Sequence, residues 1–146
     1  MFVVLDSGPL GLLSNPSSSV AAEAANRWAR ATIDRHQIVV PEIADYEVRR
    51  ELVRAERAEG LRRLDALATG FDYLPVTTAM WRQAADLWAT ARREGRPTAP
   101  DPALDGDVLL AAQALALGAD GEVVIATTNP RHLRRYAPAS SWEEIT

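Results

Sequence analysis

The chain has 146 residues, 47% of them hydrophobic and 25% charged, with a formal net charge of −4 and no cysteine. This composition fits one soluble domain over 1–146 with enough chain to bury a sizeable core. It excludes disulfides, thiolate metal sites and cysteine nucleophiles, so any metal must be held by oxygen or imidazole. No apolar run approaches the roughly 18 residues of a membrane span, and the N-terminus lacks the basic start of a secretory signal; a cytoplasmic protein without membrane contact is expected.

The first predicted element is a buried strand, Phe2–Leu5, four apolar residues running straight into Asp6 and the turn formers Ser7, Gly8 and Pro9. A carboxylate at the mouth of such a strand is costly unless something pairs with it. A helix is predicted over 17–35, after a Pro-Ser-Ser-Ser start of the kind that caps helices. A strand follows at 37–40, then one long or broken helix over 42–68. Ala44, Val48, Leu52 and Ala55 form its stripe, and Gly60 marks the expected break. A strand at 71–76 and a helix at 77–94 come next, and the proline-rich stretch 95–102 reads as a loop. Asp105 or a neighbour starts a helix running through Leu117 and ended by Gly118. The last clear strand, 122–126, runs into "TTNPRHL" and a turn toward a final helix. Strands alternating with helices imply an α/β fold around a parallel sheet.

Ligands of open parallel sheets bind where strands end and helices begin. Such places here carry Asp6; Glu42, Asp45, Glu47 and Glu51; Asp101, Asp105 and Asp107; and Thr127, Thr128 and Asn129. Carboxylates from three separate segments at one sheet edge repel one another unless a divalent cation lies between them. Oxygen-only ligands favour Mg²⁺ or Mn²⁺. Asp6 has a plainer reading as a turn cap for the N–H of Gly8 or Leu10. Glu47 lies at the border of the apolar stripe and so can face a cleft, with pairing to Arg50 or Arg54 as the plainer reading and Glu51 as the competing candidate. Asp105 and Asp107, two apart, point about 200° apart if both are helical. With Asp105 as N-cap, Asp107 lies in the first turn above Ala111, Ala114 and Gly118. Thr127 and Asn129 orient a metal's water ligands or merely form the turn.

Taken together, "VVLDSGPL" with Asp6, "VVPEIADYEVRREL" with Glu47, "DVLLAAQAL" with Asp107 and "VVIATTNPRHL" with Thr127 and Asn129 resemble, in this order, the motifs of PIN-domain ribonucleases, and within them the VapC-type toxins of toxin–antitoxin pairs. The resemblance covers nearly the whole chain. It departs at Asn129, where many relatives have Asp, and at Leu133, where an aromatic is common. It implies a three-layer α/β/α sandwich around a mainly parallel sheet of four or five strands. It also implies a Mg²⁺- or Mn²⁺-dependent endoribonuclease that leaves a 5′-phosphate and a 3′-hydroxyl. The implied catalytic set is Asp6, Glu47, Asp107 and Asn129, and the metal set Asp6, Glu47 and Asp107, with Asp105 supplying the carboxylate that Asn129 lacks. The implied partners are RNA, a cognate antitoxin and a second copy of the chain.

All 16 basic residues are arginine. Arg suits phosphate recognition, although a GC-rich genome also yields such a chain. Arg49, Arg50, Arg54, Arg131, Arg134 and Arg135 are candidates to guide the RNA backbone once a bound metal has reversed the local charge. The competing readings are a PIN-like module that binds RNA or protein without catalysis and, more distantly, a hydrolase of small phosphomonoesters. The chain has no phosphate-cradling Gly-rich loop, no G-x-S-x-G elbow and no H-E-x-x-H pair, and His36 and His132 are single and scattered.

Overall fold

Val3 and Leu5 point to one side of strand β1 (Phe2–Leu5) and Val4 to the other, and all three are fully buried, so this strand must be covered on both faces. The computed structural model, which describes residues 1–95 and 101–146, supplies both covers. Five parallel strands lie in the order β3-β2-β1-β4-β5, where β2 is Gln37–Pro41, β3 Asp72–Leu74, β4 Val123–Thr127 and β5 Ala139–Ser141. Val3, Leu5, Ile38, Val40, Val124 and Ala126 share one core with helices α1 (Ser7–Ser14), α2 (Val20–Ile33), α3 (Glu42–Arg54) and α4 (Ala58–Gly70). Val4, Val39, Val123 and Ile125 face the opposite core, built on α6 (Asp101–Leu115) and α7 (Pro130–Leu133). Helix α5 (Thr78–Arg93) packs outside α6 through Met80, Ala84, Val108, Leu109 and Ala112. The chain is thus the expected three-layer α/β/α sandwich, with every strand pair parallel. No helix among the described residues is long and apolar enough to cross a membrane.

The structure departs from the sequence reading at several places, each with a local cause. Helix α1 is unforeseen because its sequence, SGPLGLLS, holds two glycines and a proline. Asp6 caps it, and Pro9 falls in the first turn, where its missing N–H would have had no partner in any case. The predicted helix over 42–68 is two helices, and the break is not Gly60. It comes at residues 55–57, where Glu56 takes a left-handed φ of 54°. Gly60 instead lies buried inside α4, where a Cβ would stand 2.7 Å from Leu52 Cδ2; it lets α4 approach α3 closely. Helix α6 starts at Asp101, so Asp105 is an interior helical residue rather than the N-cap. Of the loop expected over 95–102, residues 96–100 lie outside the described residues. Strand β3 is shorter than 71–76, and β5, three residues on the sheet edge, was not foreseen.

Helix α3 begins at Pro41, which offers no side-chain cap. The fully buried Gln113 of α6 compensates: its Oε1 accepts from Ile43 N at 3.2 Å while its Nε2 donates to Leu74 O at 2.7 Å. One amide thereby fastens α3, β3 and α6 together, and with them the two helices that carry Glu47 and Asp107.

Candidate active site

The strand order reverses between β1 and β4. Helices α1 to α4 follow β1 and β2 on one face, whereas α5 and α6 precede β4 on the other. A doubly wound sheet opens a crevice at that point, beyond the carboxyl ends of the strands. Asp6 and Thr127 stand on its two sides. The β1–β4 ladder carries on through Asp6 N, which donates to Ala126 O at 2.9 Å, and the next residue of β4 is Thr127. The buried Thr127 hydroxyl donates to Asp6 Oδ2 at 2.6 Å and accepts from Asn129 N at 3.1 Å. Asp6 Oδ1 accepts from Ser7 N at 2.7 Å. Asp6 is therefore a helix cap and a clamped carboxylate at once; its capped donor is Ser7 N, not Gly8 or Leu10. Gly8 holds this corner tight, since a Cβ there would come within 2.9 Å of the Thr128 side chain.

The acids of α3 separate cleanly by their partners. Glu42 accepts from Val76 N, Asp45 binds Arg49 and Tyr73, and Glu51 pairs with Arg54. Glu47, half-buried, has no hydrogen bond among the described residues, which favours it over Glu51 as the acid facing the crevice. On α6, Asp107 is likewise half-buried and without a hydrogen bond, while Asp105 is exposed and turned about 200° away by the helical step. Gly106 brings the two helices together: a Cβ there would lie 3.1 Å from Glu47 Oε1.

Burial is the main cause that raises the Glu47 carboxyl above its ordinary value; the charges of Asp6 and Asp107 add to it and Arg50 opposes them. Burial, and then the charge of Asp6, pushes Asp107 up to about 6, against a counter-pull from His132. Three acids from three elements thus act on one another across the crevice. His132, half-buried on the short α7, is the residue that sequence reasoning set aside; its place three residues after Asn129 was the only signal available. Asn129 itself caps α7 without a side-chain hydrogen bond and is exposed, so its visible contribution is the backbone N–H that holds Thr127.

The donor set fits a hard divalent cation. It is all oxygen, and two of its carboxylates are half-buried, destabilised when ionised and without hydrogen-bond donors. Among the described residues no three such side chains close into a cage by themselves. A small cation that keeps several of its waters does not need one. Of the three acids Glu47 lines a groove of about 410 Å³, together with Ser7, Gly8, Arg50 and the ion-paired Glu51; Asp6 and Asp107 lie outside its lining. A larger concavity, about 810 Å³, lies at the opposite end of the strands around Met1, His36 and Gly121 and holds none of the three acids. Of the arginines expected to guide a phosphate backbone, Arg49 is committed to Asp45 and Asp65, Arg54 to Glu51 and Arg135 to Glu94, whereas Arg50 faces the site.

A family model described as PIN domain matches residues 9–138. No curated protein matches the chain by sequence. Several solved structures share its fold. A chain of the structure of VapBC2 from Rickettsia felis bound to a DNA fragment from their promoter superposes with a TM-score of 0.74 at 15% identity, over 97% of this chain and 99% of that one. A chain of VapBC-1 from nontypeable Haemophilus influenzae gives 0.71 at 18% identity, covering 99% and 100%. A chain of FitAcB from Neisseria gonorrhoeae gives 0.69 at 15% identity, covering 97% and 99%.

Proposed function

The chain belongs to the PIN-domain family, whose members are generally nucleases, and from that premise we propose that it is a Mg²⁺- or Mn²⁺-dependent endoribonuclease acting as the toxin of a toxin–antitoxin pair. The observation that carries the reading is the convergence of Asp6, Glu47 and Asp107 at the sheet's switch point, with Glu47 and Asp107 raised above their ordinary values and unpartnered. A divalent cation bound there lowers the pKa of a bound water and stabilises charge on the phosphoryl and leaving oxygens.

The chain's own part is positioning. The Ser7 N–H and the Thr127 hydroxyl fix both oxygens of Asp6, and Asn129 N fixes Thr127. Gln113 sets the spacing of α3 against α6, which carry the other two ligands. Arg50 beside Glu47 places positive charge at one side of the acids and His132 lies beside Asp107 at the other, where the RNA backbone enters and leaves. No side chain is needed as nucleophile, because water attacks phosphorus and the 3′-oxygen departs. The products are then a 5′-phosphate and a 3′-hydroxyl, as the family resemblance implies.

The VapBC assemblies that share this fold support a cognate antitoxin as partner; a homodimer follows from the family resemblance. Cleavage of an end-labelled single-stranded RNA tests the reading. Activity in Mg²⁺ or Mn²⁺ is expected to vanish with EDTA and in Asp6→Asn, Glu47→Gln and Asp107→Asn proteins. Cleavage that survives EDTA and all three substitutions contradicts it, and RNA binding without cleavage in the unsubstituted protein points to the non-catalytic module.

A further inference from the structure

Three of the four tryptophans have a ring or cation partner. Trp28 and Trp142 meet edge to face with centroids 5.6 Å apart, and the guanidinium of Arg92 covers Trp88 at 4.8 Å. Trp81 has neither among the described residues and is 59% exposed. Tyr46, 57% exposed on α3, lines the same cleft, which has a volume of about 450 Å³ and is completed by Glu42, Ile43, Val76 and Leu109. Single exposed apolar residues are ordinary, but two large aromatics converging on one apolar cleft mark a binding surface. The one acid in the lining, Glu42, already accepts a hydrogen bond from Val76 N.

Both walls of the cleft lead directly to the acids. On α3, Ile43, Glu47 and Arg50 follow one another at steps of four and three, and the Arg50 guanidinium lies 5.2 Å from the centre of the Tyr46 ring while its charge acts on Glu47. On α6, Leu109 stands one turn beyond Gly106, the residue that abuts Glu47. One turn of helix, about 5.4 Å, is within the reach of a single nucleotide.

We infer that the cleft between Tyr46 and Trp81 is a stacking site for one unpaired nucleobase of the RNA, adjacent to the bond that is cut. The inference rests on the ribonuclease reading and deepens it: the substrate strand must be single-stranded near the cut. Aromatic faces hold any base by stacking, with little sequence preference. Arg50, already stacked on Tyr46, has its charge available to the phosphate of that same nucleotide.

The test measures kcat/KM on an oligoribonucleotide carrying a single abasic position, walked through the cleavage site, with the unsubstituted protein, Trp81→Ala and Trp81→Phe. Stacking predicts that Trp81→Ala lowers kcat/KM about tenfold on the intact strand, that Trp81→Phe recovers most of it, and that one abasic position gives a similar loss. The two losses must not add, because both remove the same contact. Sedimentation equilibrium on each protein accompanies the kinetics, and an unchanged mass is expected. The inference is overturned if Trp81→Ala cleaves like the unsubstituted protein, if the abasic and Trp81 effects multiply at every position, or if Trp81→Ala changes the mass, which would make the cleft a contact between copies of the chain. A protein that cleaves no RNA at all overturns the ribonuclease reading with it, whereas these three outcomes leave that reading standing.

Discussion

Helix α3 carries two acidic positions two residues apart that have opposite fates. Asp45 is buried at 8% exposure, yet every need of its charge is met: Arg49 donates to Oδ1 from Nε and Nη2 at 3.1 and 2.9 Å, and the Tyr73 hydroxyl donates to Oδ2 at 3.0 Å. Arg49 goes on to Asp65, so the network ties α3 to α4 and β3. Burial and the bond to Asp45 hold the Tyr73 phenol above its ordinary value, so it stays a donor. Glu47 turns toward Asp6 and Asp107 and meets charge of its own sign. A satisfied buried acid serves the fold, whereas a group of acids held in mutual repulsion fits the sharing of a cation.

Exchanging the two kinds of acid gives the largest effects. Asp107→Asn is expected to lower RNA cleavage by roughly 100-fold or more, since loss of an outer-shell partner alone costs about 10- to 100-fold. Asp45→Asn is expected to leave cleavage per folded molecule within a few-fold while costing about 2 kcal/mol of stability, because Arg49 loses a charged partner. Cleavage rates and urea unfolding of the same two proteins separate these outcomes. A smaller effect falls on Thr127→Val, which keeps the shape of the buried side chain but removes the donor to Asp6 Oδ2. Cleavage is expected to fall about tenfold, with Thr127→Ser restoring most of it.

What could be read from the chain beforehand follows the same division. Asp6 was legible because it ends an apolar run, and Glu47 because it borders a helical stripe; both signals are local. The satisfied status of Asp45 was not legible, since its partners include Tyr73, 28 residues away, and an arginine shared with Asp65. His132 was set aside for the same reason: its influence on Asp107 exists only once α7 and α6 lie side by side. Helix α1 was hidden by poor intrinsic propensity that Asp6 and the buried Leu10 and Leu13 override. Gly60 was misread because a glycine that breaks a helix and one that lets two helices touch look alike in sequence.

The burial of Asp107, with the charge of Asp6 added to it, has a stability signature. Asp107 titrates at about 6 in the folded protein against an ordinary 3.8, so between these values the unfolded chain gives up its proton first. Without a cation, stability therefore falls as pH rises from about 4 to about 6 and stays lower above. Asp107→Asn is expected to gain about 1 kcal/mol at pH 7 to 8 in EDTA, after allowing for solvent screening, and the gain is expected to disappear toward pH 4. Urea unfolding across that range checks it; a destabilised Asp107→Asn at neutral pH runs against a carboxylate strained by burial and the Asp6 charge. The smallest effect lies far from the acids, at the break between α3 and α4. Glu56→Gly relieves a left-handed residue at φ 54° and is expected to raise stability by about 0.5 kcal/mol with cleavage unchanged, readable from the same denaturation curves.

Mn²⁺ binding, followed by calorimetric titration of the unsubstituted, Asp45→Asn and Asp107→Asn proteins, tests the contrast between the two acids most directly. Asp45→Asn is expected to bind Mn²⁺ as the unsubstituted protein does, and Asp107→Asn to bind it at least tenfold more weakly. Equal binding by all three, or a loss confined to Asp45→Asn, would contradict a cation site built from Asp6, Glu47 and Asp107.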